Sequence, residues 1–496
     1  MSLTSLLFFL FIIIGVFVYH LGPSRVQWFI LLCMSIIFYC SYCLEFPFFL
    51  LLSILSVYFL ARKIEKESIK KKRKFYLVIG LLFNFGILAF TKYTGFVLDI
   101  FKISSGNSIW NSIVIPIGIS FYTFQVTGYL LDVYWRKEQA EKNLLKFALF
   151  TTYFPQIIQG PISKYKQLGR QLTEKHKFNY NNIKFGLQLI LWGYFKKLVV
   201  ADTAAVAART VFNDVGNFYG IEVIVGVLCY CAQLYGDFSG GIDVIRGVSQ
   251  LFGIEMIDNF RQPFCSQSIA EFWRRWHISL GTWMKDYVFY PFSLSKSMTK
   301  FGQWARKKLG KQIGRKLPIC LGNLLVFFLV GVWHGPSWHF IVYGLYNGFI
   351  IAISSLLEPT YGKIYEITGL KKDADYLKWF RVARTFVLVN IGWYFDNTKN
   401  LIDSFVLMKN TFALSTIDFS GGTYLGLSIF QYAIILIGIC IMCIIGIIKE
   451  KGLSVRMEIA KLPILIRWAI WICLIYAIPM LGYFSQSAGG FMYAQF

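Results

Sequence analysis

The sequence predicts an all-α integral membrane protein, a bundle of many spans with some re-entrant and interfacial helices. Of its 496 residues, 56% are hydrophobic, 18% are aromatic and only 15% are charged. The mean hydropathy is +0.54, which leaves too little polar surface to face water all round. Apolar runs near the length that crosses a bilayer core as a helix recur from Met1 to Phe496, roughly 11 to 13 of them, some short enough to be re-entrant. The formal charge of +24 is gathered in short stretches between those runs rather than along one face, a positive-inside pattern and not a nucleic-acid-binding surface. A soluble globule is excluded, no nucleic-acid partner is expected, and the lipid bilayer is the partner the composition names.

The first apolar run, Leu3 to Tyr19, has no basic residue before it and no small-residue cleavage site after it. It therefore reads as a retained transmembrane helix rather than a secretory signal. The densest basic stretch, Arg62 to Lys74 (RKIEKESIKKKRK), is expected in the cytoplasm, and counting back over three spans puts the N-terminus outside. Residues 1–110 hold few polar groups inside their spans and read as scaffold. Residues 111–356 read as the working core, because Gly, Pro, His, Asp, Arg and Asn sit inside or beside the apolar runs. An ionisable group at mid-bilayer costs on the order of 2.5 to 3.5 kcal/mol on insertion scales, so it needs a partner, a water-filled cavity or a task.

Residues 357–496 return to scaffold-like spans, broken by a loop from Asp396 to Asn400 and closed by the tail FMYAQF. The whole reads as one polytopic domain, without the two similar halves of many secondary transporters. Basic loops from Lys296 to Lys316 and from Lys363 to Arg384 read as topology signals and anchors on anionic lipid. Cys40/Cys43 and Cys440/Cys443 have a CxxC spacing, but Glu45 is the one plausible extra ligand beside either pair. The ten cysteines therefore read as small buried hydrophobes, and no metal site is expected.

Between Cys231 and Pro291 the polar groups are too many for an ordinary span. Asp243 and Arg246, at i and i+3 and close to Asp237, read as a buried ion pair on one helix face. Glu271, Arg274, Arg275 and His277 alternate with Phe272, Trp273 and Trp276; on a continuous helix they would form a cationic strip bordered by rings, suited to the membrane interface. The apolar run Leu321 to Val332 then ends in Trp333, His334, Gly335 and Pro336, followed by Trp338 and His339, so two of the five histidines fall here. A histidine at the end of a membrane helix can meet reactants from two compartments, and a neutral imidazole can take a proton from a hydroxyl and return it to a leaving group.

Four long motifs carry a resemblance: PIGISFYTFQVTGYLLDVYW from Pro116, YFPQIIQGPISKY from Tyr153, the block Tyr235 to Pro291, and WHGPSWHFIVYGLYNG from Trp333. In that order they resemble the membrane-bound O-acyltransferase family, in the bacterial branch of alginate O-acetylation, peptidoglycan O-acetylation and D-alanyl transfer. The resemblance implies a helical bundle around a central tunnel, with His334 as the catalytic histidine and His277 as the second functional one. Trp333, Asp237, Asn259, Arg274, Trp273, Trp276 and Ser279 become candidates to line the tunnel or meet substrate.

It also implies an acyl thioester delivered from the cytoplasm, by family default acetyl-CoA, with no permanently bound cofactor. The acceptor would be a hydroxyl of a glycopolymer outside the cytoplasmic membrane, reached through an extracytoplasmic partner of the SGNH esterase or transferase type. The chain departs from the family pattern at His339, usually Asn, at Asn347, often His, and at Phe395, Asp396 and Asn397, usually Phe-Arg-Ala. Phe491, Tyr493 and Phe496 match the aromatic tail of self-contained acetyltransferases, which implies that Tyr493 relays the acyl group. D-alanyl transfer to teichoic acid is the alternative enzyme reading. A polysaccharide or lipid transporter and a non-catalytic scaffold are the other classes; the missing repeat and the clustering of ionisable groups by one His motif argue against transport.

Overall fold

With no water in the bilayer core to satisfy backbone N–H and C=O groups, a spanning chain must close its hydrogen bonds within helices. A computed structural model describes residues 1–42, 46–101 and 115–483, and every named element among them is helical. Seven of these helices are long and apolar enough to cross a membrane: Pro47–Lys66, Lys70–Leu98, Gly220–Leu251, Lys311–His334, Trp338–Leu356, Ile429–Glu450 and Ile464–Leu481. That is fewer than the number of apolar runs in the sequence, because several runs form short helices. The run expected to span from Leu3 gives the helix Leu6–Leu21 of 16 residues, about 24 Å long at 1.5 Å per residue and short of a roughly 30 Å hydrocarbon core. Gly22 caps it and Pro23 follows, a pairing that stops a helix.

The described chain divides into two compact units. One comprises Met1–Val199, Gly236–Asp258 and Arg456–Phe496. Its core is strongly aromatic: Tyr19, Phe38, Tyr39, Phe147, Phe150, Tyr153 and Phe154 are all buried. Polar groups inside it are met locally, as where Ser35 donates to the Leu31 carbonyl and accepts from the Phe154 amide. Lys196 and Lys197 enter it on the π-helical segment Phe195–Ala201. Lys196 Nζ lies 2.7 Å from Asp243 Oδ2, and Lys197 Nζ lies 2.5 Å from Asp237 Oδ1.

The expected Asp243–Arg246 pair is therefore secondary. Their closest atoms are 3.7 Å apart, and Arg246 reaches instead to Asp258 at 2.5 Å. Asp243 is the more deeply buried partner, and the buried Lys196 meets it at shorter range.

The other unit comprises Val200–Tyr235 and Asn259–Val455. Its centre is an antiparallel pair of spans, Lys311–His334 and Trp338–Leu356, joined by three residues. The pair can close because of two glycines. A Cβ on Gly331 would sit 2.4 Å from the Phe340 carbonyl oxygen, and one on Gly344 would sit 2.2 Å from that of Phe327. Backbone therefore packs on backbone, and the turn carrying Trp333 and His334 is held by the helices on both sides of it.

Three further expectations are corrected. The cationic strip is not one helix: Ile269–Arg275 ends before Trp276, which is extended, and His277 turns the chain into a new helix, Ile278–Met284. The loop expected from Asp396 is shorter, because the helix Asp375–Asn397 runs through Asp396 and the next helix begins at Leu401; Asp396 is buried in the last turn of the Asp375–Asn397 helix. Finally, Cys440 and Cys443 are exposed on the Ile429–Glu450 span, unlike the buried Cys229, Cys231 and Cys320. On the outer face of a span a thiol is as acceptable as any small hydrophobe. Cys43 and Glu45 lie outside the described residues.

Candidate active site

His334 is the last residue of its span and is buried. Its ring meets Trp333 at 5.2 Å and Tyr343 at 5.5 Å between centroids, both edge to face, and stacks on Phe340 at 6.0 Å. His334 Nδ1 lies 3.5 Å from Asp396 Oδ1, with both side chains almost wholly enclosed. The other carboxylate oxygen, Asp396 Oδ2, accepts a hydrogen bond from the Tyr230 hydroxyl at 2.8 Å. Asp396 lies outside the seven spans; burial pushes its pKa up to about 6, against the opposing effect of the Tyr230 hydrogen bond.

His277 is built by a different device. It has φ +45° and ψ +53°, a left-handed conformation that costs a non-glycine residue of order 1–3 kcal/mol and persists where the surroundings over-determine it. Asn259 supplies that constraint: its carbonyl oxygen accepts from the Ile278 amide at 3.0 Å, and its Oδ1 accepts from both the amide and the hydroxyl of Ser279 at 2.9 Å. The same Oδ1 is 3.3 Å from His277 Nδ1. Burial, and secondarily the nearness of His334, push the His277 pKa down to about 3, so its imidazole is neutral at physiological pH.

Trp333 joins the two histidines, with its ring 5.7 Å from His277 as well as 5.2 Å from His334. Around them stands an aromatic shell. Trp276 stacks on Phe272 at 5.4 Å and meets Trp393 at 5.7 Å, and Trp393 meets Tyr343 at 5.9 Å. Trp273 is fixed by an Nε1 hydrogen bond to Asn347 Oδ1 at 3.0 Å. Such walls exclude water, which strengthens every electrostatic interaction inside them.

Of the residues the sequence singled out, this unit gathers His277, His334, Trp333, Trp273, Trp276, Asn259 and Ser279. Arg274 is exposed, while Arg275 beside it bridges Glu271 and Glu450 at 2.8 Å. Asp237 belongs to the other unit, paired with Lys197. Tyr493 and the aromatic tail lie outside the described residues. Tyr230, Trp393, Lys196 and Lys197 are not singled out by the sequence as site residues, and Asp396 is marked there as a loop start and a departure from the family pattern. Two lysines directly after the apolar LILWGYF, and one aspartate closing the apolar VLVNIGWYF, were the available signals, since an ionisable group there needs a partner.

Residues 137–305 match the family model described as MBOAT, membrane-bound O-acyltransferase family. The chain is 31% identical over 401 residues to a protein of Pseudomonas syringae named "Probable alginate O-acetylase AlgI", covering 79% of this chain and 72% of that one. The chain belongs to the membrane-bound O-acyltransferase family. This O-acyltransferase is also 31% identical over 416 residues to the peptidoglycan O-acetyltransferase of Helicobacter pylori, covering 77% and 73% of the two chains. It is 28% identical over 295 residues to the teichoic acid D-alanyltransferase of Bacillus subtilis, covering 57% and 69%. With its seven apolar helices the acyltransferase is a multi-pass membrane protein.

Proposed function

We propose that the protein moves an acetyl group from cytoplasmic acetyl-CoA across the cell membrane for O-acetylation of an extracytoplasmic glycopolymer, with His334 as the general base. The observation that carries this reading is the placement of both His334 and His277 against one buried tryptophan, Trp333, at the end of a span-length helix. A ring nitrogen of His334 takes the proton of an acceptor hydroxyl while that oxygen attacks the thioester carbonyl. The carbon–sulfur bond breaks, and the proton returns to the departing thiolate, which leaves as the free thiol. Neutral His277 can donate or accept one hydrogen bond without adding charge, which suits it to orient the reacting carbonyl or hydroxyl.

In this reading the first acceptor is the Tyr493 phenol. The acyl ester formed there is passed to an extracytoplasmic partner enzyme of the SGNH type, which serves the polymer. A covalent relay divides one long transfer into two short ones. The N-terminus faces the outside, in keeping with a cytoplasmic Arg62 to Lys74 stretch. Trp333, Trp273, Trp276, Asn259 and Ser279 shape the route.

Incubation of the detergent-solubilised chain with radiolabelled acetyl-CoA tests the reading. Label on the wild type that is lost in both His334→Ala and Tyr493→Phe is the expected result. Label that persists in His334→Ala overturns the base assignment, and labelling from a D-alanyl carrier thioester in place of acetyl-CoA transfers the protein to the D-alanylating class.

A further inference from the structure

We infer that Asp396 is a positioning residue for His334, selecting which ring nitrogen takes the substrate proton, and that Tyr230 and His339 hold the carboxylate in place for this task. The inference rests on the reading of His334 as the base.

The carboxylate is used unevenly. Oδ2 accepts the Tyr230 hydroxyl at 2.8 Å, whereas Oδ1 is buried and accepts no hydrogen bond among the described residues. A buried acceptor left in that state is destabilising, and where one persists in a native site it has a reason. Oδ1 faces His334 Nδ1 at 3.5 Å, a separation that catalytic pairs commonly show before substrate arrives and that tightens once charge develops. A proton on Nδ1 turned toward Oδ1 leaves the lone pair on Nε2, so the carboxylate fixes the tautomer. After Nε2 accepts the hydroxyl proton, the imidazolium stands beside a carboxylate inside an aromatic shell, where attraction is weakly screened.

The frame around the pair supports the same role. His339 Nδ1 lies 2.7 Å from the Phe395 carbonyl oxygen, which ties the residue before Asp396 to the first turn of the Trp338–Leu356 helix. That helix packs backbone to backbone on the helix ending at His334. Base and carboxylate are therefore both referenced to one glycine-packed hairpin. Tyr230 itself is set edge to face against Trp393 at 6.2 Å, on the helix that carries Asp396.

The test compares acyl transfer by the full-length wild type, Asp396→Asn, Asp396→Glu, Tyr230→Phe and His334→Ala in the same detergent, each shown to be folded by its thermal transition. Asp396→Asn should lower kcat at least about 30-fold with the donor KM within about twofold, the pattern of an interaction made in the transition state. Asp396→Glu should recover a tenth or more of the lost rate, and Tyr230→Phe should cost about 3- to 10-fold, as expected for a group that orients rather than reacts. A kcat for Asp396→Asn within twofold of wild type, beside an inactive His334→Ala, overturns the positioning role and leaves the base assignment standing. Transfer by His334→Ala at the wild-type rate removes the base assignment and this inference with it. A measurement that needs no acyl donor decides independently: carbethoxylation of His334 by diethyl pyrocarbonate, followed by peptide mass spectrometry, should slow at least about fivefold in folded Asp396→Asn as the tautomer changes. An unchanged rate overturns the inference.

Discussion

Lys197 and Asp237 meet at 2.5 Å with side chains 3% and 2% exposed, while His334 and Asp396, 6% and 5% exposed, stand 3.5 Å apart. Both pairs are buried in a protein that lives in lipid, yet they are furnished differently. Around the lysines each charge has an opposite charge: Lys196 has Asp243 and the Ser239 hydroxyl, and Lys197 has Asp237. Around His334 the Asp396 Oδ1 accepts no hydrogen bond among the described residues, and a second histidine is kept neutral nearby. Fully matched charge locks helices together; incompletely matched charge leaves a group able to change its protonation state while the fold stays intact.

That contrast can be broken by substitution, starting with the largest effect. His334→Ala should reduce acyl transfer by about 10²- to 10⁴-fold, the usual worth of a positioned general base, with little change in the thermal transition. Lys197→Met should do the reverse. It strands Asp237 as a buried charge and should destabilise the protein by about 3–5 kcal/mol, seen as a lowered Tm, and Lys197→Met with Asp237→Leu should recover most of the loss. If Lys197→Met keeps its stability but loses transfer, the lysine pair belongs with the chemistry and the distinction fails.

A third prediction concerns pH. His277 has a native pKa of about 3 against an ordinary 6.5, so between those values the unfolded chain binds a proton that the native one refuses, and stability falls on acidification. Asp396 has a native pKa of about 6 against an ordinary 3.8, so between those values the native chain binds the extra proton, and stability rises on acidification. From pH 6 down to pH 4 the two should nearly cancel. Asp396→Asn removes one side of the balance, and its unfolding free energy should drop relative to wild type over that range, with a slope of about 1.4 kcal/mol per pH unit. A parallel pH dependence for the two proteins would contradict the burial assigned to this pair. The smallest effect is expected at Arg275, whose bridges to Glu271 and Glu450 are partly exposed. Arg275→Ala should cost about 1 kcal/mol or less in stability and leave kcat within a few-fold.

The membrane class and the two histidines were legible in the sequence because each depends on something local. Span-length apolar runs reveal themselves by composition, and Trp333-His334-Gly335-Pro336 stands out at the end of such a run. The partners were not legible. Asp396 lies 62 positions after His334 and Tyr230 lies 166 before Asp396, and no periodicity links them. The break at His277 was hidden for another reason: a left-handed histidine has no signature of its own, and the residue that enforces it, Asn259, is 18 positions away. Helix length was less legible than apolarity, because hydropathy does not mark where a helix stops, as Gly22 and Pro23 stop the first run after Leu21.

The glycine-packed hairpin has a bearing on lipid dependence. At 1.5 Å per residue its two arms are about 36 Å and 28 Å long, and Gly331 and Gly344 prevent one arm from sliding past the other without steric clash. Bilayers of different acyl-chain length must then be met by tilting the hairpin as one body, or by adjustment at its open end near Lys311 and Lys316, where long cationic side chains can follow the headgroups. The closed end, with His334 in its turn, keeps its internal geometry as the membrane thickens or thins. Transfer rates in vesicles of graded thickness should accordingly vary through access of the substrates rather than through distortion of the base.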